Sequence, residues 1–63
     1  MIVAGLIRAA QTKVIINCVI IWNPNTSRAL YVGQVSEIPD KLKYKEVKSS
    51  RYSKEKERMI IRI

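Results

Sequence analysis

The side chains best suited to binding chemistry are the basic ones that crowd the second half of this 63-residue chain. Residues 41–58 hold eight of the twelve Lys and Arg residues and three acidic residues, a net charge of +5. Such a cluster can follow a phosphate backbone, and aromatic side chains within it can stack on unpaired bases. The segment is therefore a candidate binding site for DNA or RNA. Its members are Lys41, Lys43, Tyr44, Lys45, Lys48, Arg51, Tyr52, Lys54, Lys56 and Arg58.

The spacing of three lysines gives this segment a possible geometry. Lys41, Lys43 and Lys45 alternate, so on a strand their side chains would share one face. The competing interpretation is a solvated, lysine-rich edge that keeps sheets from aggregating. Affinity that falls steeply with salt would separate nucleic-acid binding from mere solvation.

Catalysis, a cofactor and a metal site are not expected. The chain has no histidine, one cysteine and five carboxylates, and four of these carboxylates neighbour Lys or Arg. Cys18 therefore lacks a histidine base, and a structural zinc site would lack ligands. With Gly5 and Gly33 as its two glycines, the chain offers no phosphate-binding glycine loop.

Apolar stretches supply a second candidate surface. Residues 14–22 read VIINCVIIW and residues 59–63 read MIIRI, which could form an exposed edge strand. A chain this short buries only about 60% of its unfolded surface, so association with another chain would stabilise it. We expect self-association or a protein partner at a β interface, and this is the favoured function. Its candidate residues are Ile15, Val19, Ile21, Trp22, Met59, Ile61 and Ile63.

The elements that must position these residues begin with the β-branched run at residues 14–22. A short run rich in Val and Ile predicts a strand, and apolar residues on both faces predict a central strand with a cover on each side. The following Asn-Pro-Asn-Thr, residues 23–26, suits a type I turn. An extended pattern resumes over residues 29–38, so the stretch predicts an antiparallel hairpin. Gly33 suggests a bulge or a close approach.

The second half is less regular. Pro39 interrupts the strand pattern, and residues 40–44 favour one helical turn before a further extended stretch at 43–49. Residues 51–58 are polar and predict a loop, whereas 59–63 predict a last strand. A helix starting at Ser53 is the alternative, although Lys56 occupies the place where a capping box needs an acid.

Residues 1–63 are expected to form one domain. Residues 1–10 mix helix-favouring Ala and Leu with strand-favouring Ile and Val, and either element could cover the central strand. The predicted fold is mainly β: a small antiparallel meander of three to four strands with a short N-terminal helix or additional strand. A five-stranded barrel is the alternative.

Unpaired cysteine favours the cytoplasm, and no apolar run reaches the roughly 18–20 residues of a membrane span.

Overall fold

The computed structural model describes residues 1–23, 25–26 and 28–63 of the chain. Within that part, one sheet of four five-residue strands is combined with a nine-residue helix and a one-turn helix. A 3₁₀ turn at Val35–Glu37 precedes the one-turn helix. The elements are α1 (Val3–Gln11), β1 (Cys18–Trp22), β2 (Ala29–Gly33), α2 (Asp40–Lys43), β3 (Ser49–Ser53) and β4 (Arg58–Arg62). The fold is thus mainly β with helix, as predicted.

The sheet is mixed, with strand order β2-β1-β4-β3. Strands β1 and β2 are antiparallel, as are β3 and β4, but β1 and β4 run parallel in the centre. The predictions of a purely antiparallel meander and of a five-stranded barrel were therefore wrong. The reason is a non-local pairing: β4 returns beside β1, which aligns Val19 with Met59 and Ile21 with Ile61 and buries these four side chains together.

This pairing also corrects the position of the last strand. The MIIRI stretch is a strand, as predicted, but β4 lies inside the sheet and not at an edge. The edges are β2 and β3. The backbone of Ile63 extends the central ladder by donating to the Trp22 carbonyl at 3.0 Å.

The buried core lies on one side of the sheet. Val19 and Ile21 of β1 and Met59 and Ile61 of β4 form its floor. Both helices and the segments beside them close it from above, through Val3, Ile7, Ile16, Ile38 and Leu42. The prediction that the N-terminal segment covers the central strand is confirmed for this side.

Residues 3–11 form a helix because their apolar residues recur at helical spacing. Val3 and Ile7 are buried four residues apart, with Leu6 and Ala10 packed beside them. This is one apolar stripe, which gives the segment a reason to bury as a helix. The hydroxyl of Thr12 donates to the Ala9 carbonyl at 2.7 Å and so satisfies a carbonyl of the last turn.

The chain between β2 and β4 departs most from expectation. The predicted helical turn at 40–44 is confirmed as α2. The predicted loop at 51–58 was wrong in its first half, because Ser49–Ser53 forms β3 and only 54–57 form the turn. The helix proposed from Ser53 was likewise wrong. Strand β3 has no apolar pattern of its own and is held by its register with β4.

The predicted turn at residues 23–26 lies partly outside the described residues, which omit Pro24 and Ser27. On the described side, the amide of Thr26 donates to the Asn23 carbonyl at 3.1 Å. The amide of Asn25 donates to the Asn23 side-chain oxygen at 2.9 Å, as a forward-bonding Asn should. In the part of the chain that the structure describes, neither helix is long and apolar enough to cross a membrane.

Candidate functional site

The side of the sheet opposite the core carries side chains that are half-buried or exposed, and we call this side the open face. Strand alternation and register assign its members, because Val19, Ile21, Met59 and Ile61 point into the core and their neighbours point away. The open face comprises Cys18, Ile20, Trp22, Leu30, Val32, Ser49, Arg51, Ser53, Arg58, Ile60 and Arg62.

The register places these residues in three rows across the strands. From β2 to β3, the middle row contains Val32, Ile20, Ile60 and Arg51. It is therefore aliphatic except for the arginine at its β3 end. A second row contains Trp22, Arg62 and Ser49, and Leu30 lies beside Trp22 where the register of β2 shifts. The third contains Cys18, Arg58 and Ser53. The face thus has an apolar half over β1 and β2 and a half with three arginines over β3 and β4.

The arginine half is strongly basic. Arg51, Arg58 and Arg62 make no ion pair within the described residues, and the open face holds no Asp or Glu. The Nε of Arg58 is buried and has no hydrogen-bond partner among the described residues. The nearest carboxylate in sequence, Glu57, accepts a hydrogen bond from the Asn17 amide at 3.2 Å. A buried donor without a partner costs free energy.

Sequence reasoning identified Arg51 and Arg58 but missed Arg62. The signal was present, since Arg58, Ile60 and Arg62 alternate with buried Met59 and Ile61. That period of two places both arginines on one face of a strand. Assigning 51–58 to a loop hid the pattern, because Arg51 then had no face.

The predicted lysines lie away from the open face. Lys41 and Lys43 belong to α2, so the prediction that they share a strand face with Lys45 was wrong. Lys43 is paired with Asp40 at 3.2 Å. Lys48 precedes β3 and is exposed, and Lys54 and Lys56 are exposed in the turn before β4.

Neither predicted stacking tyrosine lies on the open face. Tyr52 alternates with Arg51 and pairs with Met59, which places it on the core side. Its hydroxyl donates to the Ile15 carbonyl at 2.7 Å, so Tyr52 is a structural anchor. Tyr44 is exposed at the end of α2. This helix packs its Leu42 into the core, so Tyr44 lies on the core side of the sheet. The aromatic residue of the open face is Trp22.

The apolar residues predicted as an interface are mostly used by the fold. Val19, Ile21, Met59 and Ile61 are buried in the core and are not available to a partner docking on the folded chain. Ile63 packs partly against the core. Ile15 is exposed outside the sheet, and Trp22 is half-buried on the open face.

A shallow depression of about 220 Å³ lies at one corner of the open face. It is lined by Trp22, Asn23, Thr26 and Arg62. Trp22 and Arg62 are register partners on the two central strands. The depression combines an aromatic ring, a cation and polar groups of the loop after β1.

Within residues 1–23, 25–26 and 28–63, no three His, Cys, Asp or Glu side chains are grouped to hold a metal ion. Desolvation raises the pKa of the Tyr31 phenol above its usual 10.0, with the charges of Glu37 and Cys18 adding to the effect. Tyr31 therefore stays neutral near pH 7.

Comparison with known proteins gives no match: no family model, no curated protein and no solved structure matches this chain. The open face, with its charges and its edges, is consequently the basis for assigning a function.

Proposed function

We propose that this protein is a non-catalytic binding module that binds nucleic acid on the open face of its sheet. The observation that carries the proposal is the cluster of Arg51, Arg58 and Arg62 on a face without carboxylates. Guanidinium groups match phosphate oxygens in a bidentate geometry, and the net charge of +7 attracts a polyanion over a distance.

The fold supports nucleic-acid binding more strongly than it supports an apolar protein interface. Four of the seven predicted interface residues are buried in the core, so most of the predicted apolar contact area is not at the surface. Two of the predicted basic residues, Arg51 and Arg58, are brought together with Arg62. A face rich in arginine and poor in acid suits an anionic partner.

The unpaired Cys18 suits a reducing compartment such as the cytoplasm.

The test is a matched pair of charge-removing triple variants, compared by fluorescence anisotropy with a short mixed-sequence oligonucleotide across a salt series. One variant replaces Arg51, Arg58 and Arg62 by Gln. The other replaces Lys13, Lys41 and Lys45 by Gln, which are exposed and lie off the open face. Both lose three charges, so a difference between them reports position and not net charge.

We expect the arginine variant to lose most of the affinity and the lysine variant to keep it. The slope of log affinity against log salt should fall by about 2 in the arginine variant, since each single-strand phosphate contact contributes about 0.7. Equal losses in the two variants, or no binding by the unaltered protein at low salt, would contradict the proposal. Because Arg58 is half-buried, circular dichroism should verify folding, and the Arg51→Gln/Arg62→Gln double variant serves if the triple variant unfolds.

Self-association at β2 is a second candidate function, favoured by a separate observation. Strand β2 is an edge with no charged residue, and its Leu30 and Val32 are 45% and 60% exposed. The opposite edge, β3, carries Arg51 and is flanked by Lys48 and Lys54, the kind of charge that protects an edge. An uncharged edge with exposed apolar residues can pair with β2 of a second copy, or with a strand of another protein.

This candidate is tested by light scattering after size exclusion over a range of concentrations. Val32→Lys should shift an oligomer to monomer, whereas Ile15→Lys is the matched control, since Ile15 is 66% exposed outside the sheet. Dissociation by Ile15→Lys and not by Val32→Lys would move the interface away from β2. A monomer at every concentration would exclude self-association and leave pairing with another protein as the remaining β2 partner.

A further inference from the structure

The structure points to single-stranded nucleic acid as the ligand of the open face, with an unpaired base held against Trp22 in the corner depression. This inference rests on the proposed function, because it names the form of nucleic acid and the place where a base lies. We propose it from the shape of the sheet, the division of the face and the position of Trp22.

The shape of the sheet argues against reading a duplex through its grooves. Neighbouring strands lie about 4.8 Å apart, so four strands span about 14 Å between their outer axes before side chains are added. The major groove is about 12 Å wide and admits a helix or a two-stranded ribbon. An open face of four strands is too broad to enter it, but it can support a strand laid across it.

The two halves of the face match the two parts of a single strand. Arg51, Arg58 and Arg62 occupy β3 and β4, where they can contact phosphates. Trp22 and Ile20 occupy β1, where they can contact bases. A duplex turns its bases inward and would leave Trp22 and Ile20 facing phosphates. An unpaired strand can lay its backbone along the arginines and turn its bases over β1.

Trp22 is the element best placed to hold one of those bases. It lines the corner depression with Asn23, Thr26 and Arg62. Its register partner is Arg62, so a base stacked on the indole would bring its own phosphate toward that guanidinium. The volume of about 220 Å³ lies below the range of roughly 300–1,000 Å³ that drug-sized ligands occupy, which suits one planar ring system.

The test uses Trp22 itself, which is the sole tryptophan of the chain and therefore a fluorescent probe of the site. Three ligands of equal length are titrated: a single-stranded oligonucleotide, the same strand with its bases removed, and the corresponding duplex. The abasic strand keeps the phosphates and so measures the contribution of charge alone. Anisotropy of a labelled strand reports affinity in parallel.

We expect the intact single strand to quench Trp22 fluorescence and to bind about 5-fold to 150-fold more tightly than the abasic strand, the worth of one stacked base. The duplex should bind more weakly than the single strand and leave the fluorescence unchanged. Trp22→Leu should reduce affinity for the intact strand to that for the abasic strand, and Trp22→Phe should retain part of the difference. Circular dichroism verifies that both variants are folded.

The failure of this inference can be told apart from the failure of the proposed function. If all three ligands bind with similar affinity, lose it in the arginine variant and leave Trp22 unquenched, the open face binds polyanions but no base, and the inference is overturned. If quenching persists when Arg51, Arg58 and Arg62 are replaced, a base contacts Trp22 without phosphate contacts, and the division of the face is wrong. If none of the ligands binds, the proposed function and the inference fail together.

Discussion

Trp22 and Arg62 are register partners on the two central, parallel strands, and both side chains lie on the open face of the sheet. They are forty residues apart in the sequence, and β4 brings them together by returning beside β1 and not beside β2. The same pairing buries Ile21 against Ile61 on the other side. One non-local contact therefore builds both the core and the candidate site.

The two glycines should respond differently to alanine. A Cβ on Gly33 would lie 2.8 Å from the Tyr31 hydroxyl, so the phenol would have to move and release the Gln34 carbonyl to which it donates. Loss of that hydrogen bond costs about 1 kcal/mol and offsets the roughly 0.5–1 kcal/mol that alanine gains over glycine in a strand, so we expect Gly33→Ala to leave stability unchanged or slightly lowered. Urea unfolding measures the change in free energy of unfolding.

The control is Gly5→Ala in α1, where a new Cβ meets Ile2 at 3.7 Å, an ordinary contact. Alanine in a helix is more stable than glycine by about 0.5–1 kcal/mol, so this variant should be more stable than the unaltered protein. A Gly33→Ala variant as stable as Gly5→Ala would show that Tyr31 does not occupy the space beside Gly33.

The hydroxyl of Tyr52 should contribute measurably to stability, and that of Tyr44 should not. Tyr52→Phe removes the 2.7 Å hydrogen bond to the Ile15 carbonyl, which ties β3 to the segment before β1. We expect a loss of about 0.5–1.5 kcal/mol in urea unfolding. Tyr44 is 71% exposed, and Tyr44→Phe should change stability by less than about 0.5 kcal/mol. Equal effects would contradict the assignment of Tyr52 as an anchor.

The sequence predicted the elements that carry a strong local pattern. The β-branched run around β1, Pro39 ahead of the one-turn helix and the apolar MIIRI stretch each give their signal within a single segment. Residues 1–10 left helix and strand open, because Val3 and Ile7 are β-branched yet stand at helical spacing. Their helical form is decided by the apolar face of the sheet on which they pack, which is tertiary information.

The sequence could not predict what depends on long-range pairing. Strand β3 reads SSRYS and has no apolar alternation, so its strand form comes from the ladder with β4. The parallel pairing of β1 with β4 has no local signal either. Without this pairing, no single face could be assigned to Arg51, Arg58 and Arg62. The count of basic residues then favoured the more numerous lysines as the binding site. The site was therefore predicted in its chemistry and partly in its residues, but not in its position.

Trimming the core should cost more than trimming an exposed isoleucine. Ile21 is fully buried between β2 and β4, whereas Ile15 is 66% exposed. We expect Ile21→Val to destabilise by about 0.5–1.5 kcal/mol and Ile15→Val by less than about 0.5 kcal/mol. Both variants lose one methylene, so the difference in urea unfolding isolates burial. A larger effect at Ile15 would indicate that this residue is covered in solution, by a second copy or another partner.

Hydrogen exchange should distinguish the central strands from the edges. Strands β1 and β4 have a neighbour on each side, whereas β2 and β3 each leave one side unpaired within the described residues. At low protein concentration we expect amides of Val19–Ile21 and Met59–Ile61 to exchange most slowly, because they open only with the whole sheet. Amides of β2 and β3 that face outward should exchange faster by orders of magnitude.

The concentration dependence of this pattern then separates the two edges. If β2 pairs with β2 of a second copy, its outward amides become protected as concentration rises, while those of β3, with Arg51 and its flanking lysines, stay unchanged. Protection that rises in β3 instead would reverse the assignment of the unprotected edge. An oligonucleotide should slow exchange without favouring the β2 edge, because it lies on the open face and leaves the backbone groups of the edge strands unpaired.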